Sequence, residues 1–245
     1  MLLFRTSEKR KEKIVSEALR FSGVEQNTIT ELLHLLQKDF GGIGNQKEIV
    51  KRLRTYAPAI IDTPSCSLYE AYNEYLALSF DTNTRAPKKV RTFFKSKLDG
   101  SIIVDLCSDG SWEYYKKALW LDPKKMIYVD KHNIRSDSVW NEQQAFISCD
   151  ALTFLSILPD HSIDCSMSGV DHWTITTWTP AASPYLSGLH QELARTLKIW
   201  GIFFWRHNSY APLLGKWMHN TLKDMLPETP IISNPLAEIF LYEKK

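Results

Sequence analysis

The chain has 245 residues, of which 44% are hydrophobic, and its formal net charge is +2. This composition is that of a globular protein with a real core, and it excludes a disordered or fibrous chain. No apolar run approaches the roughly 20 residues that a membrane span needs, so we expect a soluble protein with no membrane partner. Basic residues outnumber acidic ones by 17 to 12 in residues 1–100, and the counts are 13 against 16 beyond them. This imbalance hints only weakly at an anionic partner, because a solvated helical face has the same composition.

Cysteine usage indicates a reduced protein. The four cysteines show no CxxC spacing, and they are Cys66, Cys107, Cys149 and Cys165. Three of them fall at or just after predicted strands, where a free thiol behaves as a small core residue. We therefore predict a cytoplasmic location and no metal site. The apolar start Met1–Phe4 is too short for the core of a signal peptide, and charged residues follow it at once.

Residues 1–97 have helical periodicity and no strand alternation. Five helices are predicted there: Ser7–Phe21, one from Thr28 to about residue 40, Asn45–Tyr56, Ser67–Leu78 and Pro87–Lys97. The second opens with the capping box Thr28-Ile-Thr-Glu31, and the pair Gly41-Gly42 closes it. The third should stop near Pro58. We expect residues 1–97 to form an N-terminal helical region that packs on the rest of the chain.

Residues 98–245 show a different pattern, in which short apolar runs alternate with segments of helical period. Five runs predict parallel strands, and they are Ser101–Leu106, Met126–Asp130, Ala145–Ser148, Ile163–Met167 and Gly201–Trp205. A terminal pair, Pro230–Ser233 and Ala237–Tyr242, brings the number of strands to seven. Helices are predicted at 111–120, 137–144, 151–158, 184–197 and 213–226. The predicted fold is α/β, with a mostly parallel seven-stranded sheet built from βαβ units.

Three of the predicted strands are closed by a carboxylate. Asp105 and Asp130 end the first two strands, and Asp150 follows the third. Ligands of such sheets bind in the crevice outside the carboxyl ends of the strands. The three aspartates should lie on that one edge, where we therefore expect the functional site.

The ordered motifs of residues 100–245 resemble those of the class I S-adenosylmethionine-dependent methyltransferases. The residues that carry the resemblance are Val104-Asp105-Leu106 with the small-residue loop after it, Asp130, Asp150-Ala-Leu152, and Glu192–Lys198 before Gly201-Ile-Phe-Phe204. The resemblance implies a Rossmann-like core over residues 98–245 and S-adenosylmethionine as the cofactor. One feature departs from the family pattern: alternate glycines are expected after the first strand, whereas Cys107-Ser-Asp-Gly-Ser111 keeps only Gly110.

The resemblance also implies roles for individual residues. Asp130 would accept hydrogen bonds from both ribose hydroxyls, and Asp150 would accept one from the adenine amino group. The full set of implied cofactor-binding residues is Asp105, Cys107, Ser108, Gly110, Asp130, Asp150, Ala151 and Met167. The alternative for Asp150 is a plain helix N-cap, a role that it can combine with cofactor binding. The alternative for Asp130 is an aspartate in a loop without a binding role.

The loop after the fourth strand holds the candidate catalytic residues. The run Ser166–Trp173 has no Asn/Asp-Pro-Pro-aromatic motif, which argues against methylation of base amino groups. Asp171 and His172 are adjacent, and a histidine beside an aspartate can act as a general base. The alternative is a surface loop with a packed tryptophan. The candidate substrate-binding residues are Trp173, Trp178, Arg206, His207 and Tyr69, and their aromatic content favours a small-molecule acceptor over RNA.

Two other functions stay open. The ribose-2′-O RNA methyltransferases of the heat-shock type have a Lys-Asp-Lys-Glu catalytic set. Glu238 fits the glutamate position of this set, and Lys95 is a candidate for the first lysine. The aspartate position is occupied by Gly169, and the second lysine position by Trp205 or Arg206. An arginine that keeps its proton cannot replace that lysine. The altered glycine loop also fits a methyltransferase-like fold that serves only as a binding or scaffold protein. No oligomeric state is predicted.

Overall fold

The computed structural model describes residues 2–62, 88–106, 121–131, 142–168, 182–206 and 239–244. These residues form six helices and six strands. The helices are α1 (Leu2–Phe21), α2 (Gln26–Asp39), α3 (Gln46–Asp62), α4 (Lys88–Leu98), α5 (Ala151–Ile157) and α6 (Ala182–Thr196). The strands are β1 (Ile102–Leu106), β2 (Lys125–Asp130), β3 (Gln144–Ser148), β4 (Ile163–Ser168), β5 (Leu197–Arg206) and β6 (Ile239–Glu243).

The six described strands form one sheet in the order β3-β2-β1-β4-β5-β6. Strands β1 to β5 are parallel to one another, and β6 runs antiparallel beside β5. The predicted α/β Rossmann-like fold is confirmed. A count of seven strands is not, because the described part of the chain contains six and the strand expected at Pro230–Ser233 lies outside it. The strand order reverses between β1 and β4, which is the switch point where such sheets bind ligands.

Helices α3, α5 and α6 contact one another beside the sheet. Alternate residues of the strands, such as Val104 and Ile127, belong to a single buried apolar cluster. Leu19, Leu32 and Leu53 from the first three helices belong to the same cluster. Because α1 to α3 share their core with the sheet, burial of apolar surface holds the two parts of the chain together. The boundary between residues 97 and 98 remains a prediction.

The predicted start of the second helix was wrong. Helix α2 begins at Gln26, and Glu25 is its N-cap without a hydrogen bond from the side chain. Thr28, the predicted first residue of a capping box, lies within the helix and is buried beside Ile29. The helix therefore begins two residues before the predicted capping box, with the exposed Gln26 and Asn27 in its first turn. Helix α1 likewise begins at Leu2 rather than at Ser7.

Pro58 does not end the third helix. Helix α3 runs through it to Asp62. A proline inside a helix removes one backbone hydrogen bond and crowds the preceding turn. Ala57 and Ile60, on either side of it, are both buried. Their packing offsets the local cost, so tertiary contacts decide where this helix ends.

Strand β5 starts four residues earlier than predicted and is irregular. Leu197 pairs with Ile163, and the register shifts before Ile202 pairs with Cys165. The added residues include Trp200, which has a φ of 66°, in the left-handed region that non-glycine residues rarely occupy. A Cβ on Gly201 would approach the carbonyl oxygen of Lys198 to 2.8 Å, so the tight bulge requires glycine. The predicted helices at 111–120 and 213–226, and that of Ser67–Leu78, lie outside the described residues.

Candidate cofactor crevice

The carboxyl ends of β1 and β2 bring two aspartates together. Asp105 lies opposite Tyr128, and Asp130, two residues further along β2, lies opposite Ser148 of β3. Paired residues of parallel strands point to the same face, so the two carboxylates occupy one face about 7 Å apart along the strands. Asp105 is 1% exposed and Asp130 is 8% exposed. Both therefore belong to the wall of the crevice rather than to its outer surface.

Asp150 stands at the end of β3 and begins α5. Its Oδ1 atom accepts hydrogen bonds from the backbone N–H groups of Leu152 (2.9 Å) and Thr153 (3.1 Å). Its Oδ2 atom accepts a hydrogen bond from the hydroxyl of Tyr185 at 2.8 Å. The N-cap role expected as one possibility is therefore confirmed. The contribution of Tyr185, from α6, was not predicted, because it joins residues 35 positions apart.

Burial sets the protonation behaviour of this edge. Removal from water raises the pKa of Asp150, while the Tyr185 hydroxyl, the two capping N–H groups and the charge of Lys131 act to lower it. Burial, followed by the negative charges of Asp150 and Asp130, raises the pKa of the Cys149 thiol well above its ordinary value. The thiol therefore stays protonated at neutral pH. Cys149, which is free, lies buried in the field of both carboxylates as a small apolar group.

The predicted cofactor residues fall into two groups. Asp105, Asp130 and Asp150 meet at the described edge, and Ala151 is buried as the first residue of α5. The backbone of Met167 pairs with Asp105 across β1 and β4. The remaining three, Cys107, Ser108 and Gly110, lie outside the described residues.

Most of the predicted catalytic and substrate residues lie outside the described part of the chain. They are Asp171, His172, Trp173, Trp178, His207 and Tyr69. Gly169 and Glu238 of the RNA methyltransferase alternative lie outside it as well. Arg206 is the last residue of β5 and pairs with Ile239 of β6. It stands at the carboxyl end of the sheet, two strands away from β1.

The structure contradicts the expected catalytic position of Lys95. The RNA methyltransferase hypothesis required this lysine beside the cofactor. Its Nζ atom lies 3.5 Å from Oδ2 of Asp99, in the turn between α4 and the start of β1. That turn is at the amino end of the sheet, opposite the edge formed by Asp105 and Asp130. Lys95 therefore cannot fill the first lysine position of that catalytic set.

A separate cavity of about 290 Å³ lies between α2 and the first residues of β2 and β3. On its wall, the Lys125 Nζ atom lies 3.5 Å from Asp39 Oδ2 and donates a 3.0 Å hydrogen bond to the Glu142 carbonyl oxygen. Lys125 is buried. The cavity opens near the amino ends of β2 and β3, so it is distinct from the crevice of the three aspartates.

Among the residues that the structure describes, no group of three histidine, cysteine, aspartate or glutamate side chains is arranged to hold a metal ion. None of their helices combines the length and the apolar character that crossing a membrane requires.

No protein-family model and no curated protein matches the chain. Solved structures do match. The N-methyltransferase NodS from Bradyrhizobium japonicum WM9 is 12% identical with a TM-score of 0.44, over 63% of this chain and 91% of that one. A proposed S-adenosylmethionine-dependent methyltransferase from Listeria monocytogenes is 11% identical with a TM-score of 0.44, over 64% and 97%. Spermidine synthase from Thermotoga maritima is 13% identical with a TM-score of 0.43, over 63% and 55%.

The strand order of the described sheet itself shows the α/β Rossmann-like fold. Several of the solved structures that the chain is similar to are described as methyltransferases.

Proposed function

We propose that this protein is an S-adenosylmethionine-dependent methyltransferase that acts on a small-molecule acceptor. The observation that supports it best is the meeting of Asp105, Asp130 and Asp150 at the carboxyl ends of adjacent parallel strands. Asp105 ends β1 beside the switch point of the sheet, where this architecture holds nucleotide-like ligands, and Asp130 and Asp150 follow on the next two strands of the same edge.

The residues at this edge fit such a cofactor. Asp130 ends β2, where a carboxylate can accept hydrogen bonds from two ribose hydroxyls. Asp150 can accept one hydrogen bond from an exocyclic amino group, and the buried Cys149 and Ala151 offer small apolar neighbours. We assign the methionine end of the cofactor to the loop with Cys107, Ser108 and Gly110. When bound, S-adenosylmethionine supplies an electrophilic methyl group.

The acceptor is proposed to be small and uncharged or cationic, rather than RNA. The described edge carries three aspartates, and the described lysine beside them is Lys131. A polyanion binds best where basic side chains are clustered, whereas the described residues of this edge offer Lys131 and Arg206 at the ends of separate strands. Lys95, which could have served RNA, lies at the opposite end of the sheet.

The chemistry of transfer is assigned to the loop after β4. We propose that His172, oriented by Asp171, removes the proton from the acceptor nucleophile. Trp173, Trp178 and Tyr69 would enclose the acceptor, with Arg206 and His207 at the end of β5 supplying polar contacts.

An assay with methyl-labelled S-adenosylmethionine tests the assignment, using separate small-molecule and RNA fractions of a cell extract as acceptors. We expect label in the small-molecule fraction, and we expect His172→Ala to abolish transfer while it leaves binding of S-adenosylhomocysteine unchanged. Label confined to RNA would contradict the proposed acceptor. Cofactor binding without transfer to either fraction would favour the scaffold alternative.

A further inference from the structure

We propose that Tyr185 is a positioning residue of the cofactor site, which fixes the Asp150 carboxylate so that Oδ2 accepts one hydrogen bond from the amino group of a 6-aminopurine. This inference rests on the proposed function and adds a specificity device to it. It starts from the 2.8 Å hydrogen bond that the Tyr185 hydroxyl donates to Oδ2.

The hydrogen bonds of Asp150 leave room for one more donor. A carboxylate has about four acceptor sites, two on each oxygen. Within the described part of the chain, Leu152 and Thr153 fill both sites of Oδ1, and Tyr185 fills one site of Oδ2. The remaining site is on Oδ2, and the Tyr185 hydroxyl determines its direction. A single N–H donor satisfies it, whereas a carbonyl oxygen at the same place would face a negative charge.

Tyr185 is held firmly enough for this role. It is 5% exposed, and the next residue, Leu186, is part of the main apolar cluster. One turn further along α6, a Cβ on Gly188 would come within 3.2 Å of Leu152 Cδ2. The backbone of α6 therefore lies directly against the first turn of α5. This helix–helix contact holds Tyr185 at a fixed distance from Asp150.

Removing the hydroxyl should have two consequences for the carboxylate. Oδ2 would then have two sites to fill, and the carboxylate could turn or take up water, so it would direct a ligand less strictly. Among the described residues, the titratable groups that act on the charge of Asp150 are Tyr185 from α6 and Lys131 after β2, and Asp150 in turn acts on Cys149, which also lies in the field of Asp130. Since the Tyr185 hydroxyl lowers the pKa of Asp150, its loss should raise that pKa.

The test compares S-adenosylhomocysteine with its inosine counterpart, in which a 6-oxo group replaces the amino group. Calorimetry should give the native protein a preference of about 10- to 100-fold for the amino compound. Tyr185→Phe should narrow this preference several-fold by weakening binding of the amino compound alone. The pH below which that binding weakens should also rise in this variant. Asp150→Asn keeps the N-cap and offers an amide donor, so it should turn the preference toward the 6-oxo ligand.

Tyr56→Phe is the matched control. It removes the hydrogen bond of 3.1 Å that the Tyr56 hydroxyl donates to the buried Glu192. Tyr56 lies on α3, whereas Tyr185 lies on α6, and Tyr56 is far from Asp150 in the sequence. It should lower stability like Tyr185→Phe and leave the ligand preference unchanged. If Tyr185→Phe binds both ligands in the native ratio with the native pH profile, the positioning role is wrong. If the native protein binds neither ligand, the proposed function itself fails.

Discussion

Tyr56 lies against Gly188 where α3 crosses α6. A Cβ built on Gly188 would come within 2.8 Å of the ring atom Cε1 of Tyr56. This close approach lets the Tyr56 hydroxyl donate a hydrogen bond of 3.1 Å to the buried Glu192, one turn further along α6. The pair joins the N-terminal helices to the part of the chain that carries the crevice.

Gly188→Ala should therefore destabilise the protein. The added methyl group would have to displace the Tyr56 ring, which costs about 1–3 kcal/mol in a packed core. Alanine gains about 1 kcal/mol over glycine in a helix, so the net loss should be at most about 2 kcal/mol. Urea denaturation measures it. Gly44→Ala is the control, because a Cβ there meets no atom within 4 Å. Equal stability of the two variants would show that the crossing is looser than described.

Arg195→Met should be more damaging. The Arg195 guanidinium donates to the Leu155 carbonyl oxygen (2.7 Å) and the Leu158 carbonyl oxygen (2.8 Å) at the end of α5. Its Nη2 atom also lies 2.6 Å from Oε2 of Glu192, whose side chain is 4% exposed. The methionine variant leaves that carboxylate buried with a weaker set of partners, and we expect a loss of about 3 kcal/mol.

The double variant Arg195→Met/Glu192→Leu should recover part of this loss, because it removes the stranded charge as well. Lys11→Met is the surface control. It breaks the partly exposed ion pair between Lys11 and Glu8 within α1, and such pairs contribute less than about 1 kcal/mol. An Arg195→Met variant that unfolds with the control at the same urea concentration would contradict the capping role.

His190 should make stability depend on pH. Burial lowers the pKa of this histidine from 6.5 to about 4, so the folded protein keeps it neutral. Between pH 6.5 and about 4 the unfolded chain binds a proton that the folded chain does not bind. Stability therefore falls as the pH is lowered through this window, by up to about 1.4 kcal/mol per pH unit. At pH 5 the accumulated loss should be about 2 kcal/mol relative to pH 7.

The measurement is the difference in the free energy of unfolding between pH 7 and pH 5, in the native protein and in His190→Leu. The variant should lose about 2 kcal/mol less on acidification. His34→Gln, at an exposed position of α2, should retain the native dependence. If the His190 variant is as acid-sensitive as the native protein, the histidine is protonated in the folded state.

Local signals predicted the elements around the crevice. Short β-branched runs placed β1, β2 and β3 to within a residue, because buried parallel strands leave continuous apolar runs in the sequence. Asp150 was predicted as an N-cap from its own side chain and the helical period that follows it. The meeting of the three aspartates then followed from the rule that parallel strands end on one edge.

Features that depend on tertiary contacts were not predicted. Pro58 lies inside a helix because its neighbours are buried, and burial is not visible in a local pattern. The hydrogen bond from Tyr185 and the glycine requirement at position 188 arise from helices far apart in the sequence. The left-handed residue Trp200 has no local signal either, because its bulge depends on the pairing of β5 with β4.

Calorimetric titration with S-adenosylhomocysteine tests the central claim most directly, with the native protein compared with Asp130→Ala and Asp122→Ala. Asp122 is an exposed aspartate just before the amino end of β2, whereas Asp130 ends the same strand at the crevice. We predict binding by the native protein and by Asp122→Ala with equal affinity. Asp130→Ala should bind about 1–3 kcal/mol more weakly, because two ribose hydroxyls lose their acceptor. Absence of binding by the native protein, or equal affinity of a folded Asp130→Ala, would contradict the cofactor site described above.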